Sequence, residues 1–275
     1  MTDCLPFESR VLRLAKDVEH PEQDQDAFLA DGSRGVAVIA DGVASGIFSR
    51  PWARILTEAV VFDMPNPDDP EAFARWLTLR REAWAAAIDV SRLAWHQKPK
   101  LRSGAFSTLL WVCLLLEAER AEPGAGRLRA FAVGDSCLFH VRDGALLRSF
   151  PIQRTEEFDA DPVAIGSIDL NRDQLLKFHA LDVPCQSGDL LVLCTDAVAA
   201  WALGLYESGR TPDWQKYWDM TDEGWREEVA GLRNKREMRV DDATLALLRV
   251  SDPAVTGGLS HPIRKLRDFL GLERA

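Results

Sequence analysis

The chain has 275 residues, of which 47% are hydrophobic and 28% charged, and its formal net charge is −10. This is the composition of a globular protein with a sizeable core, and its acidity argues against nucleic-acid binding, which needs a basic face. Five scattered cysteines without a CxxC pair argue against a disulfide framework and structural zinc. Neither a secretion signal nor an apolar run of membrane-spanning length is evident, so we expect a cytoplasmic protein without a membrane partner.

The apolar pattern of the first hundred residues predicts one strand and two helices. Residues 36–40 are continuously apolar and predict a buried strand that runs into an Asp-Gly turn at Asp41. Apolar residues at helical spacing predict a helix over 50–64. Asp69, with a proline and a glutamate directly after it, is typical of a helix start, and we expect this second helix to reach about residue 94.

The remainder of the chain predicts further strands and a late helical region. The predicted strands cover 106–116, 129–142, 190–194 and 244–250, with a hairpin turn at Asp143 and Gly144 and helices after residue 195 and after Thr221. Strands in hairpin-like groups, rather than alternating with helices, favour an α+β fold with antiparallel sheets. Trp214 and Trp218, in a polar segment of the late region, suggest a flap near a site.

Aspartates mark the ends of the predicted strands. Asp41, Asp135 and Asp196 each follow an apolar run, and Asp241 precedes one. Any one of them could be a helix cap, and Asp196, at the start of a predicted helix, fits that interpretation. Four such carboxylates with few lysines nearby are better explained by a shared cation site, because a buried charge without a partner is very costly. Oxygen ligands without histidine or cysteine suit Mg²⁺ or Mn²⁺.

Asp24 and Asp26 have a spacing that two known motifs share. They could begin an EF-hand loop or form the DxD motif of a haloacid-dehalogenase-like phosphatase. Phe28 occupies the third acidic position of the EF-hand loop, and no apolar strand precedes the pair. Neither motif therefore fits.

Five short motifs occur in an order that a known family shares. They are Asp26-Ala27-Phe28, Ile39-Ala40-Asp41-Gly42, Val133-Gly134-Asp135-Ser136, Leu193-Cys194-Thr195-Asp196 and Asp241-Asp242-Ala243-Thr244. Together with residues 103–108, they resemble the protein phosphatase 2C (PPM) family of metal-dependent Ser/Thr phosphatases. Residues 49–54 and 150–151 are similar to the bacterial subgroup, and the resemblance spans about residues 10–250.

The resemblance implies an αββα sandwich, in which two antiparallel β-sheets pack face to face and helix pairs flank them. It implies one catalytic domain over residues 1–250. Residues 251–275 would then be a C-terminal tail, in which the apolar and basic residues of 260–272 predict a short amphipathic helix.

The resemblance also implies a set of metal ligands. Asp41 would bridge two metal ions, and the Gly42 carbonyl would bind one of them. Asp196 and Asp241 would complete the site of the first ion. Asp135, together with Asp196, would hold a third, weaker ion.

Three further residues take roles from the resemblance. Gln25 and Asp26 would lie just behind the ligands, where Asp26 would orient water. Lys16 would meet the substrate phosphate, with Arg10 and Arg13 as rivals for that role.

The enzyme implied by the family is a hydrolase that acts on phosphoserine and phosphothreonine in proteins. A hydroxide bridging two Mn²⁺ or Mg²⁺ ions, held by Asp41, Asp196 and Asp241, would attack phosphorus in line. Its partners would be a phosphorylated protein and a cognate Ser/Thr kinase, and nucleic acid would not be among them.

This chain departs from the family pattern at four places. Residues 43–46 differ from the family's glycine-rich turn, Gln25 stands where a glutamate is usual, and Ala197 replaces a glycine. Asp242 stands where the family has an asparagine, which keeps the ligand Asp241 before it. These departures motivate an alternative, a catalytically weak or inactive interaction or sensor module on the same fold. A small-molecule phosphatase with the same metal chemistry is a third reading. All four ligand aspartates survive, which favours an active enzyme.

Overall fold

The computed structural model describes residues 4–43, 48–93, 95, 97–117, 124–158, 162–169 and 178–252. The strands in these ranges are β1 Phe7–Leu14, β2 Ala27–Asp31, β3 Val36–Ala40, β4 Phe106–Ser107, β5 Leu109–Leu116, β6 Ala125–Val133, β7 Cys137–Arg142, β8 Ala145–Phe150, β9 Ile165–Gly166, β10 His179–Gln186, β11 Leu190–Cys194 and β12 Ala243–Val250. The α-helices are α1 Ser49–Phe62, α2 Pro70–Ala87, α3 Gln97–Leu101, α4 Asp196–Glu207, α5 Trp214–Asp219 and α6 Asp222–Asn234.

Ten of these strands form two five-stranded sheets. One sheet has the order β1-β12-β11-β7-β8 and the other β10-β6-β5-β3-β2, while β4 and β9 form a small ribbon. Every pairing is antiparallel. The predicted α+β class with antiparallel sheets is confirmed.

The side-chain period of two along each strand builds a layered core. In β12, Leu248 belongs to a buried cluster between the two sheets, together with Ile39 and Leu110. Its neighbour Leu247 belongs to the cluster on the opposite face, where α4, α5 and α6 pack around Trp225. The sheet is therefore apolar on both faces and lies between helices and the second sheet.

The second sheet has its own outer core against α1 and α2. Trp52 of α1 and Trp76 of α2 join Trp111 of β5 in one buried cluster. The indole N–H of Trp52 donates to the carbonyl of Ile165 at 2.8 Å, so its polar atom is satisfied inside this layer. Helices, sheet, sheet and helices thus stack in the order that the αββα sandwich requires, and this prediction is also confirmed.

The second helix starts as predicted but ends earlier than predicted. Asp69 accepts a hydrogen bond from the N–H of Ala72 at 2.9 Å and caps α2. The helix stops at Ala87, not near residue 94, because Asp89 accepts from the N–H of Ser91 and starts a separate 3₁₀ turn. A second aspartate cap therefore overrides the apolar pattern that continues beyond it.

Two predicted strands are each divided in the structure. The stretch 106–116 is interrupted at Thr108, between β4 and β5. The stretch 129–142 contains the end of β6 and all of β7, which lie in different sheets. The chain changes sheet at Gly134, whose φ of +97° favours glycine, and Asp135 follows directly.

The proposed flap at Trp214 and Trp218 is wrong. Trp214 is buried and stacks near Phe139, and Trp218 lies 3.9 Å from the guanidinium of Arg249. Arg249 lies near the end of β12, whereas Asp241 precedes its start, so both tryptophans are far along the sheet from the aspartates. The predicted hairpin at Asp143 and Gly144 is confirmed, with positive φ at both residues.

The predicted tail, apart from its first two residues, and its helix over 260–272 lie outside the described residues. None of the described helices is both long and apolar enough to cross a bilayer.

Candidate metal centre

The aspartates predicted from the strand pattern lie at one edge of the sandwich. β11 and β12 are antiparallel neighbours with Cys194 opposite Leu245, so the end of β11 and the start of β12 meet at that edge. Asp196 follows β11 directly after Thr195, and Asp241 shortly precedes β12. The same edge receives Asp41, because β3 ends at Ala40.

The carboxylates at this edge act on one another electrostatically. Burial raises the pKa of Asp41 well above its ordinary value, and the negative charges of Asp26, Asp196, Asp135 and Asp241 raise it further. Neighbouring negative charges disfavour the ionised form of a carboxyl group, and a cation among them favours it. Asp41 therefore lies within electrostatic reach of the other acidic residues that the sequence singled out.

A second set of carboxylates adjoins the first. Oxygen atoms of Asp24, Asp26 and Asp242 lie within 4.8 Å of one another. Only Asp26 of these three was assigned a role from the sequence. The Asp-x-Asp spacing at 24–26 and the doubled aspartate at 241–242 are the signals that could have found the other two.

Asp242 ties three parts of the chain together. Its Oδ1 accepts a hydrogen bond from the backbone N–H of Lys16 at 2.6 Å, and its Oδ2 accepts from the N–H of Gln25 at 2.9 Å. A carboxylate can satisfy both donors, whereas the amide of an asparagine offers one acceptor oxygen. Gln25 thus joins the site through its backbone.

Asp26 is buried with one of its oxygens unpaired. Only 2% of the residue is exposed, and Oδ2 accepts from the hydroxyl of Thr195 at 3.0 Å. Oδ1 has no hydrogen-bond partner among the described residues. Burial, and then the charge of Asp24, raise the pKa of Asp26 well above its ordinary value.

Asp196 likewise has one carboxylate oxygen with a partner and one without among the described residues. Its Oδ1 is buried without a hydrogen-bond partner in the described part of the chain, while Nη2 of Arg239 lies 3.0 Å from Oδ2. Thr195 holds the cap position, so Asp196 is the first residue of α4 and the cap interpretation is wrong. Arg239 was missed, since nothing in one sequence pairs two residues on different elements.

Other basic side chains reach the cluster as well. Nζ of Lys16 lies 3.5 Å from Oδ1 of Asp241, which places the predicted phosphate contact at the rim of the cluster. Arg13 pairs with Asp24 at 2.6 Å. Arg10 is instead paired with Asp222, at 2.7 Å.

Thr108 connects the loop of Asp41 to the turn that carries Asp135. The N–H of Asp41 donates to the Thr108 hydroxyl at 3.0 Å, and the N–H of Thr108 donates to the Asp41 carbonyl at 2.8 Å. The same hydroxyl shares a hydrogen bond of 2.8 Å with Ser136. The backbone bond between Thr108 and Asp41 continues the register of β3 and β5, in which Ile39 lies opposite Leu110.

The loop after Asp41 is described only at its start. Gly42 donates its N–H to the Gln25 carbonyl at 3.3 Å. Residues 44–46, where the chain departs from the family pattern, lie outside the described residues.

The cysteines near the cluster are core residues. Burial raises the pKa of Cys137 and of Cys194 well above the ordinary value, so both remain neutral thiols. A neutral, fully buried thiol is a poor nucleophile.

The donor set fits a divalent cation of the hard class. All its candidate side-chain ligands are carboxylate oxygens, which Mg²⁺ and Mn²⁺ prefer. Buried oxygens of Asp26 and Asp196 have no partner among the described residues, and leaving a charged acceptor so is costly. The residues present therefore fit such an ion.

The fold and the acidic cluster define a class of protein, the metal-dependent Ser/Thr phosphatases. The sequence profile of the family called protein phosphatase 2C matches residues 17–234. This match covers more than half of the chain, and the chain belongs to that family. No curated protein sequence matches it.

Solved structures share the fold at low sequence identity. PstP/Ppp of Mycobacterium tuberculosis, a serine/threonine phosphatase, aligns with a TM-score of 0.56 and 15% identity over 90% of this chain and 100% of its own. Stp1 of Staphylococcus aureus gives 0.55 and 12% over 91% and 98%. PppA of Pseudomonas aeruginosa gives 0.54 and 17% over 90% and 98%. At these identities the likeness establishes the common fold.

Proposed function

We propose that this protein is an active phosphoprotein phosphatase that hydrolyses phosphoserine and phosphothreonine esters with Mn²⁺ or Mg²⁺. The ligands would be the side chains of Asp41, Asp135, Asp196 and Asp241 and the carbonyl of Gly42. The observation that carries the proposal is Oδ1 of Asp196, which is buried and has no hydrogen-bond partner among the described residues. It lies in an acidic cluster whose charge Arg239 and Lys16 neutralise only in part.

Divalent ions supply Lewis acidity, which polarises phosphoryl oxygens and acidifies water. We expect two ions, or three if Asp135 holds a further one. A related catalytic domain, that of PstP, was solved in complex with two manganese ions, which supports this number.

The side chains of this protein would position the reactants. Thr195 holds Oδ2 of Asp26, which leaves Oδ1 to accept a hydrogen bond from water. Lys16, whose side chain is 52% exposed, would bind a phosphoryl oxygen at the rim. The neutral thiols of Cys137 and Cys194 speak against a covalent cysteine route.

The test is hydrolysis of a phosphothreonine peptide and of p-nitrophenyl phosphate in the presence of Mn²⁺, Mg²⁺ or EDTA. We expect turnover that needs a divalent ion and that falls at least a hundredfold in Asp196→Asn. Asp68→Asn is the matched control, because Asp68 is exposed and pairs with Arg129. Arg129 lies on β6, which is not in the sheet that contains β11 and leads to Asp196. Turnover that persists in EDTA, or in Asp196→Asn, would contradict the proposal.

The alternative is a module of the same fold that binds partners without catalysis. The observation in its favour is that Arg239 and Lys16 already neutralise part of the charge of Asp196 and Asp241. Calorimetry with Mn²⁺ separates the two, since a module of this kind need bind no ion. A phosphoprotein substrate, a cognate kinase and a cytoplasmic location remain predictions.

A further inference from the structure

Arg239 pairs directly with a proposed metal ligand. Nη2 of Arg239 lies 3.0 Å from Oδ2 of Asp196, and its side chain is 39% exposed. The guanidinium also lies 5.6 Å from the ring centroid of Phe158, so it is placed between an aromatic face and the acidic cluster. No further hydrogen bond of this side chain is found among the described residues.

Arg239 and a divalent cation compete for the same carboxylate. An ion held by Asp196 would lie within a few ångströms of the guanidinium, and like charges at that distance repel each other. Occupation of the centre therefore weakens the hold of Asp196 on Arg239.

The released guanidinium would remain beside the centre. Arg239 lies on the connection between α6 and β12, two residues before Asp241. The face of Phe158 can retain the cation there, because an aromatic ring attracts a guanidinium. A guanidinium so placed has a fork of N–H donors that matches two oxygens of a phosphate.

We infer that Arg239 exchanges Asp196 for the phosphoryl group of the substrate when a divalent cation binds. This inference rests on the proposed function. Under this exchange, the cation and the phosphate each favour binding of the other. The cation frees Arg239 to bind phosphate, and phosphate binds the guanidinium that would otherwise compete with the cation for Asp196. In the absence of both, Arg239 neutralises Asp196 and keeps the acidic cluster stable.

The other basic side chains at the cluster, Arg13 and Lys16, are less suited to binding the phosphoryl group in this way. Arg13 is held by Asp24 at 2.6 Å and also donates to the Asp26 carbonyl, so two bonds would have to break. Lys16 is 3.5 Å from Asp241 and needs little release, since the pair is loose and half exposed. Arg239 alone among these three pairs with a carboxylate whose second oxygen is buried and has no hydrogen-bond partner in the described part of the chain.

The inference is tested by calorimetry of Mn²⁺ binding to the full chain, with and without inorganic phosphate. In the wild type, we expect phosphate to tighten Mn²⁺ binding by about five- to tenfold. Arg239→Gln should bind Mn²⁺ more tightly than the wild type without phosphate, because a competing cation is gone. It should also lose the effect of phosphate, and Arg239→Lys should retain part of it.

The control removes a guanidinium from the neighbouring segment. Arg154 is exposed and pairs with Glu156 at 3.3 Å, close in sequence to Phe158. Arg154→Gln should bind Mn²⁺ as the wild type does, with the same response to phosphate. Thermal unfolding of each variant shows that it is folded, and Arg239→Lys carries the test if Arg239→Gln is not.

Three results would overturn the inference. One is an Arg239→Gln protein with the Mn²⁺ affinity and phosphate response of the wild type. Another is a wild type that binds Mn²⁺ without any effect of phosphate, which would leave the proposed function standing. If neither the wild type nor any variant binds Mn²⁺, the proposed function is rejected together with this inference.

Discussion

The hydroxyl of Thr195 lies 3.0 Å from Oδ2 of Asp26, a residue 169 positions earlier in the chain. Thr195 follows β11 of one sheet, and Asp26 precedes β2 of the other. The same hydroxyl accepts from the N–H of Thr244 at 3.1 Å, so it is used as both donor and acceptor. This bond joins the two sheets at the acidic edge and holds Asp26 in place.

Thr195→Val should reduce activity with little change in shape. Valine has the size of threonine but cannot donate to Asp26, whose second oxygen would then also be unpaired. The loss of a bond to a buried carboxylate costs about 1–3 kcal/mol, so we expect a fall in kcat/KM of about tenfold or more. Thr195→Ser keeps the hydroxyl and should restore most of the rate. Equal rates for Thr195→Val and the wild type would show that Thr195 does not position Asp26.

Gly134→Ala should destabilise the protein strongly. A Cβ at this residue would lie 2.5 Å from Cγ2 of Thr108 and 2.9 Å from the carbonyl oxygen of Val163, and φ is +97°. Overlap and backbone strain together should lower the free energy of unfolding by about 3 kcal/mol. The measurement is urea unfolding.

Gly144→Ala is the matched control for this substitution. Gly144 has a φ of +77°, but nothing lies within 4 Å of an added Cβ. Only the backbone strain remains, so the expected cost is about 1 kcal/mol. Equal losses of unfolding free energy at the two glycines would show that Thr108 and Val163 can move away from the added Cβ without a further loss of stability.

Lys16→Met should raise KM for phosphopeptides more than it lowers kcat. Lys16 lies at the rim, and the loss of one charge-assisted bond to the phosphoryl group corresponds to about a tenfold change. Lys16→Arg should keep most of the affinity. Lys216→Met is the control, since Lys216 pairs with Glu228 at 2.9 Å in the helical layer. An unchanged KM in Lys16→Met would rule out the phosphate contact.

Acid should unfold the protein partly through Asp189, which lies away from the metal centre. Its side chain is fully buried, and it accepts from Arg142 at 2.6 and 2.9 Å and shares a bond of 2.8 Å with His140. Burial alone would raise the pKa of Asp189, but the bonds from Arg142, from His140 and from the N–H of Gln186 together hold it well below its ordinary value.

The sign of this pH dependence follows from the lowered pKa. The unfolded chain binds a proton at Asp189 near pH 4, before the folded protein does. The stabilisation is therefore complete above about pH 4 and is lost as the pH falls below it. Asp189→Asn should be less stable at pH 7 by about 3 kcal/mol and should lose less stability than the wild type between pH 5 and pH 2.5. Parallel losses in urea unfolding would contradict this account.

Local rules in the sequence determined most of the elements and the candidate ligands. Apolar runs that end in aspartate located Asp41 and Asp196, because a buried strand followed by a charge is a short-range pattern. Caps such as Asp69 are also short-range, and for that reason the start of α2 was predictable. Its end was not, because Asp89 begins a separate 3₁₀ turn within a pattern that remains apolar.

Tertiary structure decided which of these residues meet. Asp24 and Asp242 come together only because β1, β2 and β12 all present an end at the same edge, and Arg239 reaches Asp196 across the gap between α4 and the β12 connection. The division of strands at Thr108 and Gly134 is likewise a tertiary effect, since each stretch has strand-like residues on both sides of the break. Hydrophobic periodicity says which residues are buried in a strand, but contacts between distant strand ends depend on register and sheet order, which one sequence does not contain.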